Sequence, residues 1–519
     1  MRRKVKLASL LLAVFMLVSM LAACASNNKG EGNIAPDSSS TSNGENAGQA
    51  NEGGDDATKD PYEITLAMPI FGTVPKDMEA VQAEINKITQ AKINATVKIL
   101  PISIGAWQQQ MNLMMSGGEK LDLAFTFGSG YPTQAANGQI IPMDDLLSKY
   151  GSGIVQAVGA EYLQSAEVDG KIYGVPTIHD YAGKSGIMMR KDLVEKHNID
   201  VASIKTLDDL DNVFKTIKDN ESGIVALGIG LGGVTSTYLT YDSLGNHIGV
   251  LPGFDNGLKV ENYFESDEYE SLVNKLHDWF KAGYVNKDAA TAQVPESNLV
   301  KSGSSFSYFV NYHPGMQGSQ ERQIGQELIF VELQPDHYAT TSKVMAGLWA
   351  ISQNSNNPER AMMFLDLMYT DKDITNLMMW GIEGQHYVKV TDTTIDYPAG
   401  IDATTVGYRN ESWLMGNAFL TYLMKSEDPE TWNLTKAYND SAIRSKALGF
   451  AFNTEPVKNE ITAINNVMQQ YRKVLETGTV DPAKKLQEFI DKLKTAGIDK
   501  VIAEKQKQLD AWVAAKEQH

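Results

Sequence analysis

The sequence predicts an α/β fold, and three observations carry that expectation. Strand-like and helix-like stretches alternate from Tyr62 onward, the pattern of sheets covered by helices. The chain is 519 residues long, which suggests about three domains on length alone. Its one cysteine, Cys24, leaves the rest without a disulfide, so stability must come from a core that a chain of this size can bury. No internal repeat is visible.

From the amino end, Arg2, Arg3, Lys4 and Lys6 form a basic head, residues 7–20 are almost wholly apolar, and 21–24 read LAAC. A charged head, an apolar middle and small closing residues make an export signal. The apolar run falls short of the ~20 residues a membrane-spanning helix needs. The LAAC stretch resembles the box of bacterial lipoproteins, which implies removal of 1–23 and a lipid on Cys24. Anchoring by acyl chains would hold the folded part at the extracytoplasmic face of the cell membrane, touching it through the anchor only. Residues 24–60 are rich in Ser, Asn, Gly, Asp and Glu with little to bury, the composition of a flexible tether. The net charge of −18 argues against nucleic acid or anionic lipid as a partner.

EITLAMP (63–69) reads as a first strand, followed by a helix with Met78, Val81, Ile85 and Ile88 on one face. TVKILPI (96–102) predicts a second strand, 106–115 a second helix, and LDLAFTFG (121–128) a third, buried strand. Such alternation implies a parallel sheet covered on both faces. A second α/β region begins near Ile178, with helices over 191–197 and 207–218 and a strand over 224–229. Near the carboxyl end Pro456 opens one helix, and Asp481-Pro482 caps and opens another that stops at Gly497. In the last helix Ile498, Val501, Ile502, Leu509 and Trp512 form a stripe that must pack on something.

Catalytic signatures are sparse. Gly228, Gly230 and Gly233 spell the G-x-G-x-x-G of a dinucleotide-binding turn, with Asp255 roughly where a ribose-binding acid stands. An exported domain meets little free dinucleotide, so a turn admitting close backbone approach is the better reading. Gly183-Lys184-Ser185 lacks the glycine a phosphate loop needs, because Ile178 holds that place. There is no G-x-S-x-G elbow. The eight histidines show no helical pair of the kind zinc sites use, so neither a metal nor a cofactor is expected. Asp144-Asp145 and Asp208-Asp209 read as helix-start acids.

Aromatic placement is the more informative signal. Seven tryptophans and twenty-one tyrosines, several in turn-rich stretches, suit sugars, whose C–H faces stack on rings while their hydroxyls bond to polar groups. Trp107 opens the second helix, although it shares a face with Met111, Met114 and Met115. Tyr131 lies in GSGYP just past the third strand, where ligands enter open α/β sheets. Tyr308 and Tyr312 flank Asn311, Trp349 lies in GLWAIS and Trp413 in NESWLMGN.

Several stretches resemble family 1 extracellular solute-binding proteins, the capture subunits of carbohydrate ABC importers. They are DGKIYGVPT (169–177), MMRKDLVEKHNID (188–200) and LWAISQNSNNPERAMMFLDLMYT (348–370). MMWGIEGQHYV (378–388) and ALGFAFNTEPVKNEI (447–461) resemble a lipoprotein subgroup with an extended carboxyl-terminal region. The resemblance implies a two-lobe, periplasmic-binding-protein-like (type II) α/β fold, with a hinge, a central ligand cleft and a helical carboxyl-terminal region. The first lobe would take 61–177 and 306–385, the second 178–305 and 386–519. It also implies a monomer that is not an enzyme, binds a mono- or oligosaccharide and delivers it to membrane permease subunits. The ligand-binding residues expected on this basis are Trp107, Tyr131, Tyr308, Tyr312, Trp349, Glu383, Tyr387 and Trp413, with Trp349 stacking on a sugar ring. Glu383 would accept hydroxyl hydrogen bonds or serve in a structural ion pair. An exported carbohydrate-active enzyme with paired carboxylates, and an adhesin or scaffold lipoprotein, are the alternatives.

Overall fold

The computed structural model describes residues 57–517. The export signal, Cys24 and nearly all of the tether expectation lie outside the described residues.

The first lobe is built on a sheet of β1 (Tyr62–Ile70), β2 (Ala95–Ser103), β3 (Leu123–Phe127), β4 (Val175–Pro176) and β10 (Gly347–Ile351), in the order β2-β1-β3-β10-β4. Seven consecutive buried residues in β1 explain its central place, because a strand covered on both faces has no polar side. The helices α1 (Met78–Ile93) and α2 (Trp107–Gly117) connect the first three strands. In α1 Met78, Val81, Ile85, Thr89 and Ile93 form the buried stripe. Strands β1, β2 and β3 run parallel and in step, Ile70 facing Ser103, so Phe71, Ile104 and Phe127 emerge at one carboxyl edge.

The second lobe is built on β5 (Ala182–Arg190), β6 (Val225–Leu227), β7 (Ser305–Tyr312), β8 (Leu328–Glu332), β9 (Tyr338–Ala339) and β11 (Ile443–Arg444). The order is β11-β9-β5-β7-β6, with β8 also pairing β5. Ile187 and Met189 face a core shared with the helices α3 (Leu210–Asn220) and α4 (Asp267–Lys281), while Met188 faces a smaller cluster with Tyr308 and Val310.

The expected parallel sheet is mixed in both lobes. Strand β10 runs antiparallel to β3, and β5 antiparallel to β7, β8 and β9. Strands β10 and β5 each come directly after a crossing between lobes. The crossings run through 177–181, through the helix α5 (Thr341–Val344), and once more ahead of β11.

Residues 306–340, expected in the first lobe, lie in the second, because β7, β8 and β9 all pair with β5 and the chain returns to the first lobe only through α5. Two further departures concern the carboxyl-terminal third. Tyr387, Ile395, Tyr408, Leu414, Met415 and Tyr422 bury themselves in the first-lobe core, although everything past 385 was expected in the second lobe. Aromatic donors account for this. Trp349 Nε1 donates to Leu414 O at 2.9 Å, Trp380 Nε1 to Tyr422 O at 2.9 Å, and Tyr408 OH to Met378 O at 2.8 Å. The helices α8 (Lys458–Glu476), α9 (Pro482–Thr495) and α10 (Ile498–Lys516) then form a separate core with residues 241–269. Asp481 caps α9 as expected, its carboxylate accepting from Ala483 N–H. The helices α6 (Pro358–Thr370) and α7 (Lys372–Trp380) pack on the first lobe.

Candidate functional site

The glycine-rich turn at 228–233 serves packing. A Cβ on Gly233 would sit 2.1 Å from Glu476 Oε2, and one on Gly230 would meet Val294 O at 2.4 Å. Glu476, fully buried on α8, accepts from Thr235 N–H (3.1 Å), Thr235 Oγ1 (2.6 Å) and Arg472 Nε (2.8 Å). Three donors on one carboxylate offset its desolvation and fasten α8 to the second lobe. The turn therefore admits a side chain from the carboxyl-terminal helices where a nucleotide phosphate was the alternative.

A cavity of about 280 Å³ opens at the carboxyl edge of the first-lobe sheet, near the lower end of the ~300–1,000 Å³ that small-molecule sites occupy. Three segments meet there: 127–132 past β3, 341–346 in the crossing before β10, and 244–246 with 450–454 from the carboxyl-terminal body. Their approach depends on Gly128, where a Cβ would stand 2.2 Å from Met345 O. Thr341 Oγ1 donates to Ala447 O and accepts from Gly449 N–H, each at 2.9 Å, and Ser342 Oγ lies 3.0 Å from Ser243 Oγ. The crossing is thus tied to the carboxyl-terminal body. Phe127, Phe450, Phe452, Leu244 and Met345 give the cavity apolar walls, and Asn246 contributes an amide.

The same edge carries a stack of rings. Trp349 is fully buried, its indole edge-on to Phe125 at 5.3 Å. Phe125 lies 5.8 Å from Trp413, and Trp413 packs on Phe71 at 5.3 Å. Phe71 is 45 % exposed, and Trp413 and the cavity-lining Phe127 are half-buried, so these are the rings of the stack that a ligand can reach. Trp107 is buried behind the cavity, edge-on to Phe127 at 6.3 Å.

The remaining expected site residues are dispersed, and none of the eight lines the cavity. Tyr131 is fully buried, its hydroxyl donating to Ala166 O and accepting from Tyr173 N–H at 3.0 Å. Tyr308 is buried and donates to Gln320 Oε1 at 3.0 Å. Tyr312, half-buried, stacks on Phe330 at 4.0 Å. Tyr387 is buried 5.8 Å from the Tyr422 ring. Glu383 pairs with Lys389 at 3.2 Å, the structural reading of that carboxylate. Trp349, expected to stack on sugar, offers no face, because a central strand of a sheet covered on both sides has none to offer. Phe71 and Phe127 escaped the sequence reading although both end strands, where ligands meet open sheets. Phe450 and Phe452 carried a signal of their own in the alternation GFAF.

At the hinge, Asp180 of the first crossing faces His179 Nδ1 at 3.5 Å, His313 Nε2 at 3.8 Å and Lys343 Nζ at 3.3 Å. Burial opposes its charge, but His313, Lys343 and His179 together overcome it and hold the carboxyl well below the usual carboxylate range. Elsewhere, His386 Nδ1 accepts from Ile382 N–H at 2.8 Å, leaving Nε2 to donate to Asp77 at 3.1 Å. Among the described residues no serine is bonded to that pair, which clamps the 382–387 loop to the start of α1. Among the described residues no group of three or more His, Cys, Asp or Glu is placed to hold a metal ion, and no helix is long and apolar enough to cross a membrane.

Residues 72–374, more than half of the chain, match the family described as bacterial extracellular solute-binding protein. The chain belongs to that family. A second family, described as a domain of unknown function, matches 446–514, which takes in α8, α9 and most of α10. A carbohydrate ABC transporter substrate-binding protein of Streptococcus pneumoniae serotype 4 is 28 % identical over 91 % of this chain and 94 % of its own length. The crystal structure of the N-glycan transport solute-binding protein NgtS from S. pneumoniae covers 88 % of this chain and 100 % of its own, at 27 % identity and a TM-score of 0.78. The structure of NgtS in complex with Man5GlcNAc covers 88 % and 99 %, at 27 % identity and a TM-score of 0.67. This solute-binding protein therefore has the two-lobe type II fold, and its relatives act in carbohydrate transport.

Proposed function

We propose that this chain captures an oligosaccharide between its lobes and delivers it to the permease of an ABC importer, held at the membrane by lipid on Cys24. The observation that carries the reading is the pair of exposed Phe71 and half-buried Trp413 beside Phe127 of an apolar cavity with an amide, at the carboxyl edge of the first-lobe sheet. Flat rings suit pyranose faces, and a few aimed polar groups fix orientation. The pneumococcal relative in complex with Man5GlcNAc makes mannose- and N-acetylglucosamine-containing glycans the first candidates.

Closure follows as a population shift: a sugar touching both lobes favours the closed arrangement by its differential affinity. The better match to the NgtS structure described without a glycan, 0.78 against 0.67 for the Man5GlcNAc complex, supports reading this structure as the open arrangement. The amino-terminal attachment suits this role as well. Arg360 Nη1 donates to Asn94 O at 2.7 Å and Nε to Ala57 O at 3.2 Å, pinning the chain at the amino edge of β1, away from Phe71.

The test is isothermal titration with a panel of mono- and oligosaccharides that includes Man5GlcNAc, with chromatography of the sugars afterwards. Micromolar or tighter binding with the sugar recovered intact is the expected result. Binding of peptides but no sugar overturns the ligand class, and shortened glycans point to an enzyme.

A further inference from the structure

Helix α10 carries a lysine on its buried stripe. Ile498, Val501 and Leu509 are buried with Lys505 among them, and Lys505 is 0 % exposed. Burying an ammonium is costly even when it is hydrogen-bonded, so an apolar residue here would serve stability at least as well. Burial lowers its pKa to about 7, with Asp242 pulling the other way.

What the ammonium touches explains its place. Its Nζ donates to Asn246 Oδ1 at 2.8 Å and to Gly249 O at 2.9 Å, and it lies 5.0 Å from the centre of the Phe452 ring. Asn246 and Phe452 are both cavity-lining residues. Asn246 Oδ1 also accepts from Ile248 N–H at 3.1 Å, so the carboxamide oxygen is committed to the protein. Its Nδ2 makes no hydrogen bond among the described residues, and the side chain is half-buried.

We infer that Lys505 is a positioning residue for the ligand cavity: from beneath its wall it turns the Asn246 amide so that Nδ2–H donates into the cavity beside the Phe452 ring. The wall then reads a ligand with an apolar ring face and an adjacent acceptor oxygen, a hydroxyl or ring ether. This gives the 446–514 region, which matches a family described as a domain of unknown function, a part in recognition. The inference rests on the saccharide reading above, and its test includes an arm that needs no sugar.

Asn246→Asp keeps an acceptor for Lys505 and removes the donor. Its melting temperature stays at or above that of the wild type, while affinity for Man5GlcNAc falls at least about tenfold. Unchanged affinity beside normal wild-type binding overturns the inference. Lys505→Met weakens binding by a similar factor, and adding it to Asn246→Ala costs little more, the signature of one coupled unit. Full additivity contradicts it. In the sugar-free arm, the ¹⁵N side-chain amide resonance that Asn246→Asp abolishes stands away from the free-asparagine position in the wild type. It moves to that position in Lys505→Met. A resonance that does not move overturns the positioning role whether or not any sugar binds.

Discussion

At the scale of single residues, two tryptophans in the same ring stack divide support from contact. Trp349 sits at its base, its indole N–H satisfied by Leu414 O, and Trp413 at its rim beside Phe71. Trp349→Ala removes a fully buried indole and is expected to cost about 3–5 kcal/mol in denaturant unfolding. Trp413→Ala, half-buried in the same stack, should cost less in unfolding than Trp349→Ala while weakening saccharide binding about tenfold or more. Gly128→Ala forces a methyl against Met345 O and should cost about 1–3 kcal/mol. The sequence placed Trp349, in GLWAIS, among the rings expected to meet a sugar, although GLWAI is a continuous apolar run and forms the buried strand β10. It favoured the wrong tryptophan for ligand contact, because a strand buried on both faces shows no alternation from which reach could be read. Phe71 was legible in principle from its place one residue past β1.

At the scale of elements, the carboxyl-terminal helices were legible as helices and illegible as partners. Pro456, the Asp481-Pro482 cap and the stripe of α10 marked where they run. Their attachment was not legible, since it depends on Glu476 meeting Thr235 across 241 positions of sequence. Gly233→Ala displaces that buried carboxylate, and proteolysis of α8 under native conditions should accelerate as the helix loses its fastening. The hinge gives a prediction in pH. The Asp180 carboxyl titrates near its ordinary 3.8 in the unfolded chain and well below it when folded. Its stabilising contribution is complete above the unfolded value and is lost as pH falls through the folded one. Thermal unfolding of the wild type against Asp180→Asn should therefore show a wild-type advantage at about pH 5 that shrinks by about pH 3. An advantage independent of pH over that window removes the charge cluster from the account of the hinge.

At the scale of the whole molecule, the two-lobe architecture was legible through family resemblance and the α/β alternation through composition and period. The lobe assignment past residue 305 was not, because β7, β8 and β9 pair within the second-lobe sheet while Tyr408, Leu414 and Tyr422 return to the first core, through long-range bonds that no local pattern encodes. Closure over a sugar should reduce the radius of gyration measured by small-angle scattering, as far as the ligand's differential affinity allows. The central claim is that an oligosaccharide binds where the first-lobe edge, the second crossing and the carboxyl-terminal body meet. The most direct measurement is calorimetric titration of the wild type and Trp413→Ala with Man5GlcNAc and related glycans. Micromolar or tighter binding by the wild type that falls at least about tenfold in the variant is the predicted result. Equal affinities, or no glycan bound by the wild type, would contradict it.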